Sequence, residues 1–209
     1  MYALVENNEI TKFITNPKSM VIGDVRYPAK IFQLWSTSEL EAIGIYEVVF
    51  DDSNKKDEQW YINTNQSFEF DDNEVTASYG TATPKAHADT LWTAQDETDD
   101  KIPEGKDVGD VAVKALKTVL IEQLKSQVSN ELARTDWYIT RNTEKSTAIP
   151  SSISTHRDAV RTKQASMETA ITNASNTPAL ETLYTYVNTG TEKNPVYEKP
   201  LGELPILES

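Results

Sequence analysis

Residues 110–134 contain neither Gly nor Pro, and Val113, Leu116, Leu120, Leu124, Val128 and Leu132 recur there at intervals of three or four. Only a helix turns such a spacing into one continuous apolar stripe, so this stretch predicts a long amphipathic helix that needs a partner. Thr135 and Asp136 supply capping chemistry behind it, and residues 137–141 read as a further helical turn with Trp137 packed inward. Pro150 then closes a Thr/Ser-rich turn, and Ser151 or Ser152 is positioned to cap another helix. In that helix Ile153, Val160, Met167 and Ala174 fall seven apart and share a face. Thr177 as N-cap and Pro178 at N1 open a last short helix whose buried side is Leu180, Leu183, Tyr184 and Val187.

The first half carries a different period. Residues 3–6 and 10–13 flank Asn7, Asn8 and Glu9, and Asn tolerates the positive φ of a tight hairpin turn. Residues 30–35 read as a strand, after which Ser36 and Glu39 form a capping box while Trp35 and Leu40 occupy the hydrophobic-staple positions. A helix of about two turns ending at Gly44 follows. Residues 45–50, 59–62, 67–70 and 75–79 are β-branched, aromatic or alternating, and the segments between them are turn-forming. The reading is a meander of antiparallel strands.

The two halves also differ in charge. Up to Asp107 there are 21 acidic and 9 basic side chains, a balance of −12; after it there are 12 and 11. Between them, residues 94–109 combine Pro103, Gly105 and Gly109 with many carboxylates and no apolar period, as a linker does. After Gly190 the period is lost again, and Pro195, Pro200 and Pro205 stand five apart. This predicts an extended arm with Val196, Tyr197, Leu201, Leu204, Ile206 and Leu207 as isolated anchors. The expected class is therefore α+β: a small antiparallel β-rich module with one short helix over 1–93, an acidic linker over 94–109, a helical bundle over 110–190, and an arm over 191–209.

Composition excludes several chemistries. With no Cys there is no disulfide, thiol nucleophile or Cys-based metal site. A net charge of −13 opposes binding to nucleic acid or an anionic membrane, since neutralising phosphates needs clustered Lys and Arg. Glu6 and Glu9 interrupt the N-terminus too early for a signal peptide, and no stretch approaches the roughly 18 apolar residues of a span. A soluble chain made without a leader is expected.

Candidate catalytic constellations are sparse. His87 and His156 are the only imidazoles, and neither lies in a motif for a nucleophile–base pair. The acidic turn at 51–58 is only faintly like a calcium loop: it lacks the central Gly and contains Lys55 and Lys56. Carboxylate pairs of the glycosidase kind have no sequence signature, and the seven Gly form no phosphate-binding loop. Neither a cofactor nor a metal is expected. Arg134, Arg141, Lys145, Arg157, Arg161 and Lys163 are either a surface for an acidic partner or a helix face balanced by Asp136, Glu144, Asp158 and Glu168.

Residues 91–111, 132–150 (LARTDWYITRNTEKSTAIP), 154–161 (STHRDAVR), 167–171 and 178–187 resemble the C-terminal domain of tail proteins of tailed bacteriophages. The family includes proteins described as tail fibre assembly proteins. The match runs through Leu132, Thr135, Asp136, Trp137, Ile149, Pro150, His156, Arg157, Val160 and Arg161, with His156 where relatives often carry Tyr. The opening MYALVENNEITKF, and Trp35, Ser36, Glu39 and Leu40 leading to residues 42–46, are similar to the N-terminal modules of phage proteins.

The resemblance implies a non-enzymatic structural component of the virion, located in the tail and made in the cytoplasm of the infected bacterium. It would be a tail or baseplate adaptor that attaches or supports fibres, present in multiple symmetric copies; a fibre assembly chaperone absent from the mature particle is the alternative. Arg157 and Arg161, one turn apart, could jointly grip a partner's carboxylate or carbonyl or else hold the domain's own loop, and the Pro-spaced arm, which the resemblance does not cover, offers Tyr197, Leu201, Leu204, Ile206 and Leu207 as further candidate partner contacts. Trp35, Ser36, Glu39, Asp136 and Trp137 would be structural.

Overall fold

The computed structural model describes residues 1–207; the last two residues of the expected arm, 208–209, lie outside it. The chain is α+β and divides into two compact units, Met1–Thr83 and a second beginning at Pro84.

The first unit opens with a hairpin of β1 (Tyr2–Glu6) and β2 (Glu9–Ile14). Glu6 pairs with Glu9, so Asn7 and Asn8 are the two turn residues, at φ 54° and 65°. That is the backbone a two-residue hairpin requires, and Asn adopts it at low cost. A second hairpin, β3 (Met20–Ile22) and β4 (Val25–Tyr27), leads to α1 (Ile31–Leu34) and α2 (Thr37–Glu41). The strands β5 (Ile45–Asp51), β6 (Tyr61–Ile62), β7 (Gln66–Asp71) and β8 (Glu74–Tyr79) follow, and β9 (Thr83–Pro84) marks the boundary. Asp72 and Asn73 repeat the Asn-type turn at φ 46° and 62°.

The main sheet has the order β2-β1-β5-β8-β7. It is not the expected antiparallel meander, because β5 and β8 run parallel, with Val48 opposite Val75. Residues 52–65 carry the chain across before the β7–β8 hairpin returns, as a parallel pair demands. The sheet curls until its two edges meet: the Phe13 and Phe68 rings, on β2 and β7, are 4.4 Å apart. Alternation then sorts the side chains. Ala3, Val5, Val48, Val75 and Ala77 fill the inside, with Tyr46, Phe68 and Phe70 closing over them. Leu4 and Ile45 point to the other face and bury Ile31 and Leu40 of the two short helices.

Residues 31–34, expected as strand, are a helical turn. The i, i+4 spacing places Ile31 and Trp35 on the same side, where Ile31 is buried and Trp35 meets the Tyr27 ring edge-on at 5.8 Å. Strand geometry would send Ile31 and Phe32, which both pack against the sheet, to opposite faces.

The second unit contains no free linker. Strands β10 (Thr90–Leu91) and β11 (Val111–Val113) pair and close off the acidic segment between them. Within it, α3 (Ala94–Thr98) starts with a capping box in which Asp96 N donates to Thr93 Oγ1 at 3.3 Å and Thr93 N to Asp96 Oδ2 at 3.0 Å. The boundary expected at 94–109 therefore lies before residue 84, and those residues belong to the second unit.

The long helix α4 (Leu116–Ala133) begins six residues later than expected, because Val111 and Val113 pair in β11. Leu120, Leu124 and Val128 are buried along its stripe. Three further helices follow: α5 (Asp136–Lys145), α6 (Ser151–Asn173) and α7 (Thr177–Tyr184). Ile153, Val160, Met167 and Ala174 are buried as the seven-residue spacing implies. Neither Ser151 nor Ser152 caps α6; Pro150 occupies the cap position. The cap of α7 is Asn176, whose Oδ1 accepts from Ala179 N at 2.9 Å, one residue ahead of the expected Thr177. Thr177 is instead buried, donating to the Lys85 carbonyl at 2.6 Å.

Candidate functional site

Two arrangements in the helical unit collect most of the singled-out residues: a polar node where α6 meets the α4–α5 turn, and a groove occupied by the C-terminal arm.

At the node, the chain leaves α4 at Arg134 and turns through Thr135, whose side chain is buried. Buried turn groups need partners, since an unsatisfied one costs roughly 1–3 kcal/mol. Arg157 supplies them from a single nitrogen. Its Nη1 donates to the Leu132 carbonyl at 2.8 Å, Thr135 Oγ1 at 2.7 Å and Asp136 Oδ1 at 2.8 Å. Arg157 is 8% exposed and Arg161 is exposed, reaching only Asp158 at 3.5 Å. The two guanidinium groups thus do not form a joint grip, and Arg157 holds its own domain's turn. Asp136 serves as the acceptor for Arg157; it is Thr135 that stands at the N-cap position of α5.

His156 precedes Arg157 on α6 and is buried, its Nε2 3.0 Å from Glu131 Oε1. Burial raises the Glu131 carboxyl, but hydrogen bonds and charge from Arg134 and His156 outweigh that and hold it below the ordinary value. Among the described residues, no hydroxyl is within hydrogen-bond distance of His156, though Ser151, Ser152 and Thr155 line a cavity with it. No group of three His, Asp or Glu converges as a metal site among them, and no helix is long and apolar enough to cross a membrane.

Trp137 is not packed inward. It is 53% exposed, stacked beside Tyr138 with ring centroids 4.5 Å apart, and the Arg141 guanidinium lies 4.5 Å over its ring. In the first unit the sequence motif is reproduced: Glu39 N donates to Ser36 Oγ at 3.4 Å and Ser36 N to Glu39 Oε2 at 2.7 Å, with Trp35 packed near Leu40. Ser36 N, and after it Ser36 Oγ at 2.8 Å, both donate to the Glu39 carboxylate and lower its carboxyl.

The arm is not free along its length. Strands β12 (Val187–Asn188) and β13 (Tyr197–Glu198) pair as a small exposed hairpin. The chain then returns to the bundle, where Leu201 N donates to the Leu183 carbonyl at 3.0 Å. Leu201 is 4% exposed and is a core residue rather than an anchor for a partner. Leu204 and Leu207 are half-buried, while Tyr197 and Ile206 are exposed. Leu120 and Leu124 of α4, Met167 of α6, Tyr184 of α7 and the arm's Leu201, Leu204 and Ile206 line a cavity of about 350 Å³. Burial pushes the Tyr184 hydroxyl up to about 12. Above the groove, Lys199 pairs with Glu203 at 2.7 Å and Tyr186 donates to Glu203 at 2.8 Å. The Lys199 bond leads in lowering the Glu203 carboxyl.

One structural role had a legible signal that the sequence reading passed over. Asp89 accepts from Ala115 N and Thr118 Oγ1, both at 2.6 Å, at the start of α4. The helix's own cap position is Ala115, which has no side-chain acceptor. An apolar N-cap ahead of a strong helix is itself a sign that the acceptor comes from elsewhere.

No family model, curated protein or solved structure matches this chain.

Proposed function

We propose that the chain is a non-enzymatic structural component of a tailed-bacteriophage virion, an adaptor that attaches or supports tail fibres on the tail or baseplate. The observation that carries this reading is that four of the residues behind the resemblance, Leu132, Thr135, Asp136 and Arg157, meet at one folded node. A turn locked by one arginine is a positioning device: it fixes where α5 and its exposed Trp137–Arg141 stack stand. Trp, Tyr and Arg are the side chains that most often anchor protein interfaces. The division into two units, each with its own buried core, supports a bipartite attachment role. Repeated weak contacts at symmetric sites then add through effective concentration. Deleting the gene from the phage that encodes it should yield particles with tails but without firmly held fibres. Fully fibred, infectious particles from the deletion would remove the proposal.

A further inference from the structure

The groove beneath the C-terminal arm has a ligand of known chemistry, because the chain's own end lies in it. Leu201 is buried with its N donating to the Leu183 carbonyl at 3.0 Å, and Leu201 and Leu204 line one cavity with Leu120, Leu124 and Met167, so the seat of this segment on the bundle is defined. What joins the segment to its own domain is weak. Residues 185–198 are all exposed. The β12–β13 hairpin is held by two residue pairs, by Thr189 N donating to the Val196 carbonyl at 2.7 Å, and by turn bonds that include Gly190 N and Val196 N to Asn188 Oδ1 at 3.0 Å each, all of them solvent-exposed. Opening it gives up a few backbone bonds that water replaces and exposes no core.

We propose that residues 199–207 exchange between copies, so that the arm of one chain fills the α4–α6–α7 groove of a second copy. The contacts in the exchanged form are the same as those at home, which makes exchange nearly neutral in contact energy and governed by concentration. Reach is adequate: the roughly 15 residues between α7 and Leu201 span about 50 Å when extended. Pro195 and Pro200 stiffen that stretch and lower the entropy lost when it is drawn out. Gly190 controls the opening. A Cβ at this position would run into the Asn194 carbonyl oxygen and lie 2.7 Å from Val196 N, so only Gly lets the hairpin close. This inference does not depend on the tail assignment.

The chain has no Cys, which makes thiol cross-linking unambiguous. Gln123 and Ile206 line the same cavity. A chain carrying Gln123→Cys is mixed with a chain carrying Ile206→Cys and treated with a short bis-maleimide; intact mass then reads the products. The expected result is a covalent adduct of the two different chains, abolished by Leu204→Asp and increased about tenfold by Gly190→Val. A double Gln123→Cys/Ile206→Cys chain that links internally, with no mixed adduct at any concentration, would overturn exchange. A double variant that links neither internally nor between copies would overturn the seating on which exchange rests.

Discussion

Arg157 Nη1 and Asp136 Oδ1 lie 2.8 Å apart, an ion pair spanning 21 positions in sequence that ties the second turn of α6 to the first residue of α5. The same nitrogen serves the buried Thr135 hydroxyl and the Leu132 carbonyl, which also accepts from Thr135 N and Oγ1 at 3.0 Å each. Asp136 is largely exposed, and the pair itself is worth little; the value lies in the buried Thr135 hydroxyl and the half-buried Leu132 carbonyl. Arg157→Ala should therefore destabilise the helical unit by about 2–3 kcal/mol, read as a lower urea midpoint. Arg157→Lys should recover only part of this, since an ammonium lacks the planar fork.

Trp137→Ala should cost less than about 1 kcal/mol. The ring is half-exposed and contributes stacking with Tyr138 and Arg141, not core volume. A loss of several kcal/mol in a thermal melt would show that the ring is buried after all.

Gly44→Ala should be among the worst single changes in the first unit. Gly44 sits at φ 81°, and a Cβ there would lie 2.6 Å from the Val5 carbonyl oxygen, at the point where Val5 N donates to the Gly44 carbonyl at 2.8 Å. Left-handed strain and a backbone clash together should remove about 2 kcal/mol or more, measured by chemical denaturation.

Acid should weaken the helical unit through Asp89. Its carboxyl is lowered first by the Thr118 hydroxyl and then by the Ala115 amide. A depressed folded value means that the stabilisation is complete above the unfolded value of about 3.9 and is lost as pH falls through the folded one. Urea midpoints should therefore drop between pH 5 and pH 3, and drop less in Asp89→Asn, which itself costs about 1 kcal/mol at neutral pH. An unchanged acid slope in that variant would contradict the assignment.

Local chemistry was readable where a motif completes itself within a few residues. The Asn7–Asn8 turn, the Ser36–Glu39 box and the stripe of Leu120, Leu124 and Val128 all formed as their spacing required. Residues 30–35 misled because a six-residue apolar run has no period long enough to separate strand from helical turn. The acidic segment at 94–109 looked like a linker by composition, yet the Thr93–Asp96 capping box and flanking valines organised it. Partners distant in sequence left no local trace. Nothing near Arg157 announces that its acceptors sit at 132–136, and Trp137 was read as core because a Trp on a helix usually is. The parallel pairing of β5 with β8 likewise depends on where a crossover lands, which strand patterns do not encode.

The most direct test of the tail assignment is quantitative mass spectrometry of gradient-purified phage particles, comparing this chain with the major tail-tube protein. The expected result is its presence at a reproducible ratio that fits three-, six- or twelvefold sites. Absence from the particle, with abundance in the infected-cell lysate, would contradict the adaptor and identify a chaperone that leaves before the particle is complete.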